Sequence, residues 1–185
     1  RVPFVARWPA KIPANSTSDE TICHVDLMAT VAAMLEAKLP DNAGEDSFNI
    51  LPVLKGEKLD KPVRPATVHH SGRGSFAIRR GDWVLIDAST GDDNKESEWF
   101  KKLRGYVPHD QPGELYNLRQ DLAEQKNLYG EQPEIVRAMK ELLRTWQSEG
   151  RSTPGAAQPN DVPLEKIVPP KKDGAKRDGA KKKSG

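Results

Sequence analysis

Residues 66–86 have the sequence ATVHHSGRGSFAIRRGDWVLI, in which short strand-like runs are separated by glycine-rich breaks. Residues 76–79 and 83–86 both alternate in the period-2 pattern of half-buried strands. Between them, Gly81 can adopt the positive φ that a tight turn requires. The pattern predicts an antiparallel hairpin closed by a loop of three or four residues.

The same stretch contains three candidate binding residues, which are two neighbouring histidines and an arginine. Residues 67–70 predict a third strand, and residues 71–74 predict the loop after it. Side chains at the end of a strand beside a glycine loop are well placed for a binding surface. His69 and His70 should point to opposite faces, so at most one faces a cleft, while Arg73 has the charge that suits an anionic ligand. The alternative is one core and one exposed histidine, with Arg73 a solvated loop residue.

Composition places the charge unevenly along the 185 residues. The formal net charge is +2, but residues 166–185 carry +6, which leaves −4 for the rest. The single cysteine, Cys23, excludes an internal disulfide, a redox pair or a cysteine-based zinc site built from this chain alone. No apolar run approaches the ~18 residues of a membrane span.

The N-terminal third predicts one strand and one helix. Residues 2–8 form an apolar run that predicts a buried strand. Apolar residues then recur at helical spacing from Leu27, and the helix is expected to end near Lys38. Asp26 is predicted to cap it by accepting hydrogen bonds from the amides of its first turn. Residues 47–54 predict one or two further helical turns.

The remainder predicts a strand, a helix and a tail. Residues 87–111 are polar and predict a long surface excursion in which Trp99 is exposed. Residues 114–118 predict a strand. An amphipathic helix should begin at Pro133 and end at Gly150, covering a small antiparallel sheet. Composition rich in proline, glycine and lysine predicts disorder beyond it.

In this order, the segments resemble the C-terminal part of the sulfatase family, close to bacterial members similar to arylsulfatase A. The resemblance covers about residues 1–155. It is carried by the following segments: Arg1–Ile12, Ser18–Glu20, His24–Leu27, Gly44–Ser47, Leu51–Gly56, Phe76–Arg79, Gly81–Ile86, Glu114–Leu118, Asp121 and Glu124–Leu128.

The resemblance implies an α/β fragment of the alkaline-phosphatase-like class. Residues 1–60 would be the C-terminal end of the main domain, with its last strand and helix. Residues 61–150 would form an α+β C-terminal subdomain of small antiparallel sheet and one helix. Residues 151–185 would be a disordered basic tail. In similar enzymes the strand at residues 67–70 leads towards the rim of the substrate cleft.

The resemblance also implies hydrolysis of sulfate esters by a formylglycine hydrate, with calcium polarising the sulfate. The formylglycine arises from Cys or Ser in a Cys/Ser-x-Pro-x-Arg motif. Cys23 is followed by His24-Val25, so it does not fit. The nucleophile and calcium ligands are therefore expected outside this chain, which has no catalytic or metal residue of its own. His69, His70 and Arg73 are the candidates for substrate binding.

The expected partner is a sulfated small molecule or polysaccharide, and the resemblance favours a periplasmic or secreted location without fixing it. The basic tail predicts only nonspecific, salt-sensitive attraction to polyanions, and no specific nucleic acid. No oligomeric state is predicted. Two alternatives remain: a phosphodiesterase or phosphonate hydrolase of the same superfamily, and a noncatalytic polyanion-binding module.

Overall fold

The computed structural model describes residues 2–72, 74–90 and 96–162, and its centre is a four-stranded antiparallel sheet. The strands lie side by side in chain order. They are β1 (Thr67–His70), β2 (Phe76–Arg80), β3 (Trp83–Ile86) and β4 (Glu114–Asn117). The predicted hairpin and the predicted third strand are both confirmed.

The hairpin between β2 and β3 is tighter than expected. Arg80 pairs with Trp83, which leaves a loop of only Gly81 and Asp82 instead of three or four residues. Gly81 has a φ of 58°, in the left-handed region that favours glycine. The turn residue therefore allows the two strands to pair up to the loop itself.

One long helix covers one face of this sheet, as the sequence predicted. Helix α4 (Pro133–Glu149) begins with proline at its first position, where the missing N–H has no intrahelical partner to lose. It ends at Gly150, whose φ is 64°. The core between helix and sheet consists of Ala66, Ile78, Leu85, Leu115, Val136, Met139 and Leu143. The sheet and α4 thus form two layers around one apolar core.

Two short helices lie in the N-terminal region. Helix α1 (Leu27–Met34) follows a single 3₁₀ turn at His24–Asp26, and helix α2 (Leu51–Leu54) occupies the predicted apolar segment. Helix α1 ends four residues before the predicted Lys38. In the described chain Leu27, Met28 and Val31 of α1 are exposed, as are Val25 just before the helix and Leu35 just after it.

The predicted strand at residues 2–8 is wrong for the described chain. These residues have no regular secondary structure and are mostly exposed. A strand needs a neighbouring backbone to satisfy its amides and carbonyls. The sheet pairs only β1 to β4 among the described residues, and none of these strands is hydrogen-bonded to residues 2–8 as a neighbouring strand.

The long excursion contains a helix that the sequence did not reveal. Helix α3 (Glu98–Leu103) starts after Ser97 and is followed by Gly105, whose φ is 73°. Glu98 lies in its first turn and Lys101 and Lys102 in its last, which suits the helix dipole. Local charge placement therefore stabilises one and a half turns in a segment expected to be irregular.

Residues 151–162 are ordered, which corrects the prediction of a disordered tail from residue 151. Arg151 is buried and donates hydrogen bonds to Asp41 O at 3.1 Å and Ala156 O at 2.8 Å. The amide of Thr153 donates to Glu45 O at 3.0 Å. These contacts hold the segment against the loop at residues 41–46. The lysine-rich remainder lies outside the described residues.

None of the helices in the described part of the chain has the length and apolar character that a membrane crossing requires.

Candidate functional site

The two predicted histidines lie on opposite faces of the sheet. His70 pairs with Phe76 on the α4 side, and the two rings meet edge to face with centroids 4.7 Å apart. His69 lies on the other face, where Thr67 and Arg79 are its neighbours by strand register. The structure thus separates the two histidines, as strand geometry predicted.

His69 lines a wide open basin under the face of the sheet that α4 leaves uncovered. The basin has a volume of about 1680 Å³. Its floor includes Thr67, Arg79 and Asp82, and its walls come largely from the N-terminal segment up to residue 24. His70 is not among the lining residues, and Arg73 lies outside the described residues. Of the two candidates among the described residues, only His69 lines this basin.

The surroundings of His69 favour its neutral imidazole. Although its side chain is largely accessible, partial removal from water lowers the pKa of His69, and the guanidinium groups of Arg79 and Arg64 lower it further. A neutral imidazole has one N–H donor and one acceptor nitrogen. It can therefore bind a sugar hydroxyl, while Arg79 supplies positive charge on the same face.

Arg79 was missed as a site residue. It is directly opposite Thr67 in the register, and its Nε donates to Gly81 O at 3.0 Å, which ties the side chain to the hairpin turn. Its alternation in β2 was visible in the sequence. The pairing of β1 with β2 in this register, which brings it near His69, was not.

A buried ion pair holds the start of β1 to the N-terminal region. Arg64 Nη1 lies 2.9 Å from both carboxylate oxygens of Asp26, and Arg64 Nε donates to Ala66 O at 3.0 Å. Asp26 Oδ2 also accepts from the amide of Cys23 at 2.6 Å, and Oδ1 from that of Phe48 at 3.0 Å. The predicted capping of α1 by Asp26 is therefore wrong, because its carboxylate serves the preceding turn, a neighbouring segment and Arg64.

Cys23 lies beside this ion pair and is half-buried. Burial raises the pKa of the Cys23 thiol, an effect that the charge of Arg64 opposes. A protonated thiol is a poor nucleophile. The environment of Cys23 therefore does not favour a nucleophilic role for its thiol.

The described residues contain no cluster of three or more histidine, cysteine, aspartate or glutamate side chains arranged to hold a metal ion. The carboxylate of Asp26, the most buried of the acids, is fully occupied by Arg64 and two amides. The described part of this chain does not fit calcium.

A second group of titratable side chains surrounds the buried Glu114 on β4. His109 Nε2 lies 3.1 Å from Glu114 Oε1, and His109 Nδ1 accepts from the amide of Gln111 at 3.2 Å. Since Nδ1 accepts, the proton of a neutral His109 lies on Nε2 and points at Glu114. Burial raises the pKa of Glu124, and the charge of Glu114 raises it further. The sequence analysis did not predict this group, because its members are spaced irregularly along the chain and form no recognisable pattern.

Comparison with known proteins finds that this chain is similar to part of several sulfatases. No family model matches the sequence. It is 33% identical over 145 residues to an N-acetylgalactosamine-6-O-sulfatase of Bacteroides thetaiotaomicron, covering 78% of this chain and 27% of that protein. It is 29% identical to a sulfatase of Formosa agariphila, covering 96% of this chain and 32% of that protein.

A solved structure agrees with the curated relatives. It comes from work on glycosaminoglycan metabolism by Bacteroides thetaiotaomicron, and superposes with a TM-score of 0.61 at 34% identity. The match covers 77% of this chain and 28% of that one. The chain therefore spans about a third or less of the length of these proteins.

Proposed function

The chain belongs to the sulfatase family, as a C-terminal portion, and from this premise we propose that the complete protein hydrolyses sulfate esters and that this chain closes one side of the substrate cleft. The observation that carries the proposal is the position of His69 beside Arg79 at the open basin. The uncovered face of the sheet presents polar groups there instead of a second apolar core.

We propose that the substrate is a sulfated sugar. One relative is named for N-acetylgalactosamine carrying a 6-O-sulfate, a group with hydroxyls and a single anionic ester. A neutral His69 suits the hydroxyls, and the guanidinium of Arg79 suits the anion. His70 is less well placed, since it packs on Phe76 at the α4 side. A role for Arg73 in substrate binding is proposed from its charge alone.

Calcium and a formylglycine nucleophile are proposed to come from polypeptide outside this chain. Both would supply the chemistry of ester cleavage. The proposal rests on family membership and on the mismatch of Cys23 to the formylglycine motif. The role left to this chain is binding and orientation of the substrate.

The experiment compares His69→Ala with the matched control His70→Ala in the complete protein. Release of sulfate from N-acetylgalactosamine 6-sulfate is measured as kcat/KM. Loss of one substrate hydrogen bond should lower kcat/KM by about tenfold in His69→Ala. His70→Ala should stay within about twofold of wild type if its imidazole only packs on Phe76.

The two parts of the proposal fail separately. If the wild-type protein releases no sulfate from any sulfated sugar, the proposed activity is wrong. If the wild type is active and His69→Ala is equally active, His69 does not contact the substrate.

A further inference from the structure

Helix α3 presents large apolar side chains to water next to a cation. Trp99 is 70% exposed and Leu103 is 73% exposed. Residues three and four positions apart share one face of a helix, so Lys102 and Leu103 lie on the same face as Trp99. Trp99 and Leu103 together form a contiguous exposed apolar patch, and such a patch beside polar residues marks an interaction surface.

The indole is held in place despite its exposure. The ring of Phe100 meets it edge to face, with centroids 5.6 Å apart and an interplanar angle of 74°. The end of the helix is anchored by Arg104, whose Nε lies 2.7 Å from Glu96 Oε2. Gln125 Nε2 donates to the carbonyl of Arg104 at 2.9 Å. A fixed aromatic surface loses little entropy when a ligand stacks on it.

The charges around the indole favour an anionic ligand. Residues 96–104 contain three basic and two acidic side chains. Both acids have basic partners, since Glu96 pairs with Arg104 and Glu98 with Lys101 at 3.3 Å. No ion pair involves Lys102 in the described part of the chain, and Lys102 follows Trp99 by three positions on the same face of α3.

We propose that Trp99, Lys102 and Leu103 bind a sulfated polysaccharide. The apolar C–H face of a sugar ring stacks on the indole and Leu103, and a sulfate ester on the same or the next sugar pairs with Lys102. The inference rests on the proposed function, because it takes the polymer form of the same substrate class. A membrane surface fits less well, since α3 has only six residues and begins with the exposed carboxylate of Glu98.

The experiment uses the complete protein and chondroitin sulfate as the probe, with chemically desulfated chondroitin beside it. Titration calorimetry gives the Kd for wild type, Trp99→Ala, Lys102→Gln and the control Leu122→Ala, which removes a comparably exposed apolar side chain elsewhere. Trp99→Ala should weaken binding of chondroitin sulfate by about tenfold, the size of a dominant aromatic contact. Lys102→Gln should weaken it less and reduce its salt dependence. Leu122→Ala should match wild type.

The result that overturns the inference is an unchanged Kd in Trp99→Ala, an equal loss in Leu122→Ala, or equal affinity of wild type for the desulfated polymer. Trp99-dependent binding to phosphatidylglycerol vesicles without binding to chondroitin sulfate also overturns it. Hydrolysis of 4-nitrophenyl sulfate, which has no polymer, should be equal in wild type and Trp99→Ala. Trp99-dependent binding by a protein that hydrolyses no sulfate ester would refute the proposed function and leave this inference standing.

Discussion

Two regions of the molecule differ in the kind of side chain that they bury. The first is the sheet with α4, and the second is the N-terminal region. In the first region, Ile78, Leu85, Leu115, Met139 and Leu143 are fully buried against one another. In the second, two of the three largest fully buried side chains, Asp26 and Thr30, are polar, while Leu27, Met28 and Val31 of α1 are exposed. One region therefore completes its own apolar core, and the other is held by polar contacts and directs apolar surface outwards.

This difference indicates which region depends on a partner surface. A hydrophobic core stabilises in proportion to the apolar area it buries, and α1 buries little of its own. The N-terminal region is joined to the sheet by Asp26 with Arg64, and to the end of α4 by Arg151 with Asp41. Variants at these contacts and in the apolar core test whether the two regions are stabilised differently.

Asp26→Ala should have the largest effect. It leaves the guanidinium of Arg64 buried without a counter-charge, and breaking such a pair costs about 3–5 kcal/mol. Denaturant unfolding of the complete protein measures the loss, with the exposed Asp19→Ala as control. The double variant Asp26→Leu with Arg64→Met removes both charges and should lose less. If Asp26→Ala is as stable as Asp19→Ala, the N-terminal region is not held by this ion pair.

Leu115→Ala should follow. Leu115 is fully buried at the centre of the core, and truncation there costs about 2–4 kcal/mol in lost burial and cavity formation. Leu122→Ala, at a 65% exposed leucine, should change the free energy of unfolding by no more than about 0.5 kcal/mol. Equal losses from the two variants would mean that the sheet and α4 do not form an independent core.

Gly150→Ala tests the connection from α4 to the segment that follows. Gly150 has a φ of 64°, and a Cβ there would collide with the carbonyl oxygen of Gln158. The strain should cost about 1–2 kcal/mol and loosen residues 151–160. The control is Gly72→Ala, where a Cβ meets nothing within 4 Å. A melting temperature in Gly150→Ala equal to that of Gly72→Ala would show that this segment adds no stability.

Glu124 should produce the smallest effect, visible as a pH dependence. Its pKa is raised from 4.5, first by burial and then by Glu114 and Asp121. The folded state therefore binds the proton more tightly than the unfolded state. Stability from this group is fully present below pH 4.5 and is lost as pH rises through the raised pKa.

Unfolding measured from about pH 4 to pH 8 checks this prediction. Glu124→Gln should remove part of the decline in stability with pH, whereas the exposed Glu141→Gln should not. Parallel pH profiles for wild type and Glu124→Gln would contradict a raised pKa of this half-buried carboxyl.

The sequence predicted the sheet and α4 correctly, the region in which the elements bury one another's apolar faces. Alternation at residues 76–79 and 83–86, together with the helical stripe after Pro133, placed the hairpin and α4, because burial on one face imposes those periods. The alkaline-phosphatase-like sulfatase fold inferred from the resemblance is confirmed by the structural relative. The prediction of a strand at residues 2–8 was wrong, because a strand depends on neighbouring strands that no local sequence pattern reveals.

The site was only partly predictable for the same reason. The separation of His69 from His70 follows from the geometry of a single strand. The approach of Arg79 to His69 requires the register of two strands, and the pairing of Asp26 with Arg64 spans 38 positions. The order in residues 151–162 was hidden because their composition suggested disorder, while a single buried arginine supplies the hydrogen bonds that fix them.

Amide hydrogen exchange tests most directly whether the two regions differ in their need for a partner surface. It is compared between the 185-residue chain alone and the complete protein. Amides of β2, β3 and α4 should be strongly protected in both, while amides of α1 should gain protection only in the complete protein. Equal and strong protection of α1 in the chain alone would contradict the account, because its exposed apolar face would then need no covering.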